Sequence, residues 1–118
     1  MRSKKGSSKG GDIERSLDAE MEELLPAEEL EVFGRVLEPL GKGHFRVECA
    51  DNTVRVCRVR GKLRGRKGWV KRGDIVLVSL WPFQRSRGDI VVRYDRQQVN
   101  WLMEKGYIPK EWASLEEG

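Results

Sequence analysis

The chain has 118 residues, 38% of them hydrophobic and 36% charged, with a net charge of +4. That composition supports one small core, and no apolar run approaches the roughly 20 residues that span a bilayer, so no membrane partner is expected. A basic amino terminus running into Ser, Gly and then acids, in place of an apolar signal core, makes the cytoplasm the expected compartment.

Residues 1–11 carry Lys4, Lys5 and Lys9 among Gly and Ser, a composition with nothing to bury, and are expected to form a disordered basic tail. Residues 12–30 form an acidic segment; from Gly11 to Glu31 nine acids face one arginine. Within it Ile13, Leu17, Met21, Leu24 and Leu25 recur at helical spacing, with Asp12 placed to cap the start and Pro26 to stop the end. Such a helix is either a solvated spacer or an element that docks on, or masks, a basic surface.

The apolar period then shortens to that of strands over residues 31–94. Val32 to Leu37 is apolar and β-branched, with Gly34 as a candidate bulge. Phe45, Val47 and Cys49 alternate with Arg46 and Glu48. After the turn residues Asp51 and Asn52, the run Val54, Val56, Cys57, Val59 slips phase between Val56 and Cys57, as in a sharply curved strand. Ile75 to Phe83 is nearly continuously apolar up to Pro82, and Ile90 to Tyr94 makes a fifth strand. Arg-Gly-Asp precedes both of the last two strands, where Gly-Asp reads as turn punctuation. Residues 95–118 are read as a helix and short tail: Asp95 with Gln98 forms a capping box, Val99, Leu102 and Met103 share a face, and Gly106 closes the end. Five short strands followed by a helix predict a mainly β fold, a five-stranded oligonucleotide-binding (OB) barrel, since curling the sheet closed removes its edges.

The residues offer little chemistry of the catalytic kind. His44, the only histidine, sits where a strand begins and reads as a rim residue, and neither Gly61-Lys62 nor Lys67-Gly68 has the spacing or hydroxyl of a phosphate loop. Cys49 and Cys57 are too few for a zinc site and read as buried apolar residues. The expectation is a binding protein with no enzymatic activity, metal or cofactor.

Binding has a stronger signature. From Arg55 to Arg96 thirteen cations face three acids. They are densest in RVRGKLRGRKGW, Arg58 to Trp69, with six cations, three glycines and no acid. Glycines allow close approach to a phosphate backbone; Arg60, Lys62, Arg64, Arg66 and Lys67 supply charge-assisted bonds; Leu63 offers apolar surface. Trp69 either stacks on RNA or folds onto the barrel. Arg46, Arg85 and Arg87 complete the candidate RNA-binding set, whereas Trp81, Phe33 and Phe45 lie in apolar strand patterns and are assigned to the core.

The stretch HFRVECADNTVRVCRVRGKLRGRKGWVKRGDIVLV, and within it Arg60-Gly61-Lys62-Leu63-Arg64 followed by a tryptophan, resembles the archaeal and eukaryotic translation initiation factor 1A family, and more distantly bacterial initiation factor one. The resemblance covers Val32 to about Gly106, together with the basic tail. It implies a monomeric barrel in the A-site region of the small ribosomal subunit, against decoding-centre ribosomal RNA, assisting placement of initiator tRNA and mRNA. It further implies that Gly61, Lys62, Leu63 and Arg64 enter the minor groove of the decoding helix, that Lys4, Lys5 and Lys9 reach toward the P site, and that other initiation factors are partners. The chain ends Ser-Leu-Glu-Glu-Gly without a long acidic tail, which favours an archaeal form and speaks against the subunit-joining GTPase as a partner. Two other readings compete: a single-strand RNA chaperone of the cold-shock type, which needs clustered aromatics on its binding strands, and a protein adaptor working through the acidic segment.

Overall fold

Five strands form the sheet, β1 (Glu31–Gly41), β2 (His44–Cys49), β3 (Val54–Arg64), β4 (Ile75–Trp81) and β5 (Gln84–Arg93), with β4 buried along most of its length. The computed structural model describes residues 9–27, 29–64 and 70–113, and gives the backbone alone for residues 9–16, 60–64 and 113. Four antiparallel pairings and one parallel pairing, β3 with β5, close the sheet in the order β1-β2-β3-β5-β4. This is the expected OB barrel.

Gly34 is no bulge. It pairs regularly with Cys49 and Val76, and a Cβ there would meet Val47 Cγ1 at 2.5 Å, so the position keeps glycine because two strands press together. The register of β1 against β2 shifts later, between Val36 and Glu38 and again between Pro39 and Gly41. Nor does β3 slip between Val56 and Cys57. Arg55 and Cys57 are the buried residues and Arg58 is exposed, so the inward phase is continuous and merely includes an arginine. Its irregularity lies between Val59 and Arg64, where the strand resumes pairing opposite Val92.

That pairing corrects a second expectation. Arg60 to Arg64 form the bulged end of β3, not a free connection. The second Gly-Asp is likewise inside a strand, because β5 starts at Gln84, directly after a two-residue turn at Pro82-Phe83. Gly88 there admits close packing, with a Cβ position 2.6 Å from Val78 Cγ1, whereas Gly73 (φ +91°) does turn the chain before β4.

Helix α1 spans Lys9–Leu24, three residues further upstream than expected. Asp12 therefore lies inside it and not at its start, and Lys9 to Gly11, assigned to the tail, are helical; extending an anchored helix by a turn is far easier than nucleating one, even through two glycines. Met21 and Leu24 are buried against the barrel, with Leu17 and Leu25 packed beside them. Helix α2 (Arg96–Glu104) begins at the Asp95–Gln98 capping box. It ends in a Schellman motif, where Gly106 N donates to Met103 O and Tyr107 N to Leu102 O. A 3₁₀ turn, Lys110–Ala113, follows and buries Trp112.

Two cores result. One fills the barrel with Val36, Val47, Cys49, Cys57, Val76, Val78, Leu80 and Ile90. The other joins Met21, Leu24, Phe33, Tyr94, Leu102, Ile108 and Trp112, so α1 and α2 seal the same side of the sheet. Polar ties reinforce the joint: Gln98 Nε2 donates to Glu20 Oε2 at 2.9 Å, Trp101 Nε1 to Asp18 Oδ1 at 2.6 Å, and the Tyr94 hydroxyl to the Leu24 carbonyl. The acidic helix is thus a docked element of the fold.

Candidate nucleic-acid interface

Strand register decides which cations meet. His44 pairs with Arg58 and Arg58 with Asp89; two residues along, Arg46 pairs with Val56 and Val56 with Arg87. Because Cys57 occupies the interior, these residues stand on the outer face of β2, β3 and β5. Arg85 lies two residues before Arg87 on the same strand face and is exposed.

Trp81, the last residue of β4, reaches onto this face from beside β5. Its Nε1 donates to Asp89 Oδ1 at 3.1 Å, and Arg58 Nε donates to the same oxygen at 3.2 Å. The Arg58 and Arg87 guanidinium carbons stand 5.3 and 5.9 Å from the indole ring centroid. Phe83 leans toward Trp81, centroids 6.2 Å apart and planes at 39°, and is 86% exposed. Trp81 is only half-buried and belongs to neither core, which corrects its assignment as a core residue; Pro82 ends the strand before the ring can be covered. Phe33 is buried in the core beneath the helices, and Phe45 packs half-buried against the core of the barrel.

Much of the positive charge is answered internally. Arg55 is held by Asp51, Arg93 Nε by Asp74 Oδ2 at 2.9 Å, Arg35 Nη2 by Glu48 at 2.6 Å, and Arg46 by Glu38. Among the described residues, no carboxylate pairs with Arg72, Arg85 or Arg87. Of these, Arg85 and Arg87 stand on the face that carries Trp81, and the backbone of β3 runs on from that face into Arg60 to Arg64.

Of the expected set, Arg46, Arg85 and Arg87 come together on this face, Arg46 already engaged by Glu38. Arg60, Gly61, Lys62, Leu63 and Arg64 enter through the backbone of β3 alone, and Lys9 is the first residue of α1. Lys4, Lys5, Arg66, Lys67 and Trp69 lie outside the described residues. Sequence reasoning missed Arg58 and Phe83. The burial of Cys57 puts Arg58 outside, which the expected phase slip after Val56 obscured; Phe83 was hidden at the end of an apolar run. No cluster of His, Cys, Asp or Glu among the described residues could hold a metal ion.

Comparison with known proteins gives a consistent result. The family model described as translation initiation factor 1A / IF-1 matches residues 20–117, which reaches back into α1 and so beyond the Val32 limit of the resemblance. The chain is 49% identical over 78 residues to translation initiation factor 1A of Archaeoglobus fulgidus, covering 66% of this chain and 79% of that one. It is 47% identical to the protein of the same name from Pyrococcus abyssi, over 71% of this chain and 74% of that one. To that of Methanopyrus kandleri it is 40% identical, over 83% and 87%. Among solved structures, that of translation initiation factor one from a Wolbachia endosymbiont of Brugia malayi is similar at 30% identity, with a TM-score of 0.45 over 62% of this chain and 91% of that one.

Proposed function

The chain belongs to the translation initiation factor 1A / IF-1 family, which assigns it to translation initiation, and from that premise we propose that it binds the small ribosomal subunit at decoding-centre RNA in the A-site region. The observation that carries this reading is the outer face of β3 and β5. Arg58, Arg85 and Arg87 stand there, Arg58 and Arg87 beside a half-buried indole, and β3 leads into the densest run of cations in the chain.

The physics fits RNA. A-form RNA presents a wide, shallow minor groove, open to the bulged end of β3 with Gly61 in it, and phosphates supply the counter-charge that Arg85 and Arg87 lack among the described residues. In this reading Gly61, Lys62, Leu63 and Arg64 enter the groove, Arg66 and Lys67 hold phosphates, Trp69 contacts RNA or the barrel, and Lys4, Lys5 and Lys9 extend toward the P site. Initiator tRNA and mRNA are then positioned beside the bound factor, with other initiation factors as neighbours, in the cytoplasm. The chemistry is recognition, with no bond made or broken.

Co-sedimentation with isolated small and large subunits over a salt series tests it. Binding to the small subunit alone, weakening steeply with salt, is expected. Equal binding to both subunits contradicts it.

A further inference from the structure

A solvent-exposed phenylalanine at a hairpin tip has no role in the fold. Phe83 occupies a two-residue turn between Trp81 and Gln84 where any polar turn former would serve, yet it leaves 86% of its surface in water. Its one aromatic neighbour among the described residues, Trp81, is tilted at 39° and covers only part of the ring. Trp81 itself is fixed by its bond to Asp89 and flanked by two guanidinium groups. The group is therefore an open aromatic shelf, held rigid from beneath and bordered by positive charge.

The geometry points to this shelf as a subsite for one unpaired nucleobase of RNA, stacked on Phe83 against the edge of Trp81, with its phosphate held by Arg87. This rests on the RNA-binding reading, which already uses Arg58, Arg87 and Trp81, and extends it to the exposed ring of Phe83 in the β4–β5 hairpin. Two features favour a base over a protein side chain. Arg87 has no carboxylate partner among the described residues and is free to hold a phosphate attached to the ring. The shelf also sets an exposed aromatic face beside a guanidinium group, a pairing that suits a flat base and its phosphate. Every base has a π-face, so the subsite reads no sequence. Asp89 positions Trp81 and Arg58; it is not a ligand contact.

The test uses the full chain, an oligoadenylate carrying one 2-aminopurine, and an abasic ribose-phosphate oligomer of equal length. Phe83→Ala is expected to weaken oligoadenylate binding about tenfold, as loss of one stacked base should. It should also abolish the 2-aminopurine quenching and leave the abasic oligomer unaffected. Phe83→Tyr is expected to restore both readouts and Phe83→Leu neither. An exposed position makes misfolding a poor explanation, and an unchanged melting midpoint checks this. Equal binding of oligoadenylate by parent and Phe83→Ala overturns the shelf while leaving small-subunit binding in place. If Phe83→Ala lowers co-sedimentation with whole subunits but not oligoadenylate binding, the shelf contacts protein and the inference is overturned in that direction. A parent that binds neither oligomer nor subunit overturns both readings together.

Discussion

The Arg55 guanidinium takes both carboxylate oxygens of Asp51, Nη1 to Oδ1 and Nη2 to Oδ2, each at 3.0 Å, while Arg55 itself lies buried at 7% exposure. Its Nε donates to the Arg85 carbonyl, so one side chain fastens the β2–β3 turn to the start of β5. Asp51→Ala removes the partner and strands a buried cation. Unfolding in urea should show a loss of about 1–3 kcal/mol, smaller than for a fully buried pair because Asp51 is open to water. The bond to Arg55 holds the Asp51 carboxyl below the usual carboxylate range. A depressed folded pKa gives stabilisation that is complete above the unfolded value and fades as pH falls through the folded one. Acidification below about pH 4 should therefore destabilise the parent more than Asp51→Asn.

Cys57 tests the interior of the barrel. Burial, chiefly, and then the nearby Cys49 push its thiol up to about 12 from 9.0, and both cysteines are 1% exposed. A raised folded pKa means that the unfolded chain loses its proton first, so this group lowers stability as pH rises from 9.0 toward about 12. Native protein near pH 8 should react with an aromatic disulfide reagent only at its unfolding rate. Rapid labelling of either thiol would show that the barrel opens locally.

The acidic helix should behave as part of the fold. Met21 and Leu102 are both fully buried in the core that α1 and α2 share. Met21→Ala and Leu102→Ala should each cost about 2–5 kcal/mol in urea unfolding. An undisturbed midpoint for Met21→Ala would mean that α1 detaches in solution and is the solvated spacer after all.

Charge reversal at Lys62 and Arg64 separates recognition from folding. Both residues belong to the bulged end of β3, whose pairing is made by the backbone and survives a change of side chain. The variant Lys62→Glu with Arg64→Glu should keep its melting midpoint and lose small-subunit binding by orders of magnitude. For the parent, neutralising roughly six phosphates gives a slope of about −4 in log affinity against log salt. A slope near zero, or a variant that binds like the parent, would remove the electrostatic basis of the interface.

The barrel was legible because period-two apolar patterns and their order leave few closed arrangements, and α2 was legible because Asp95, Gln98 and Gly106 are strong local signals. What escaped was set by contacts between distant segments. A buried arginine disguised the phase of β3, because its burial is made tolerable by Asp51 and the Arg85 carbonyl, partners the local pattern does not show. The strand character of Arg60 to Arg64 depends on a neighbour far along the chain, Val92. The shelf escaped for the same reason: Arg58, Trp81, Phe83 and Arg87 come from three strands and the turn between two of them, and meet only once the barrel closes.

Chemical footprinting of ribosomal RNA in the isolated small subunit, with and without the protein, tests the central claim most directly. Protection confined to the decoding-centre helix, absent with the Lys62→Glu, Arg64→Glu variant, is the expected result. Protection elsewhere on the subunit, or the same protection from the charge-reversed variant, would contradict it.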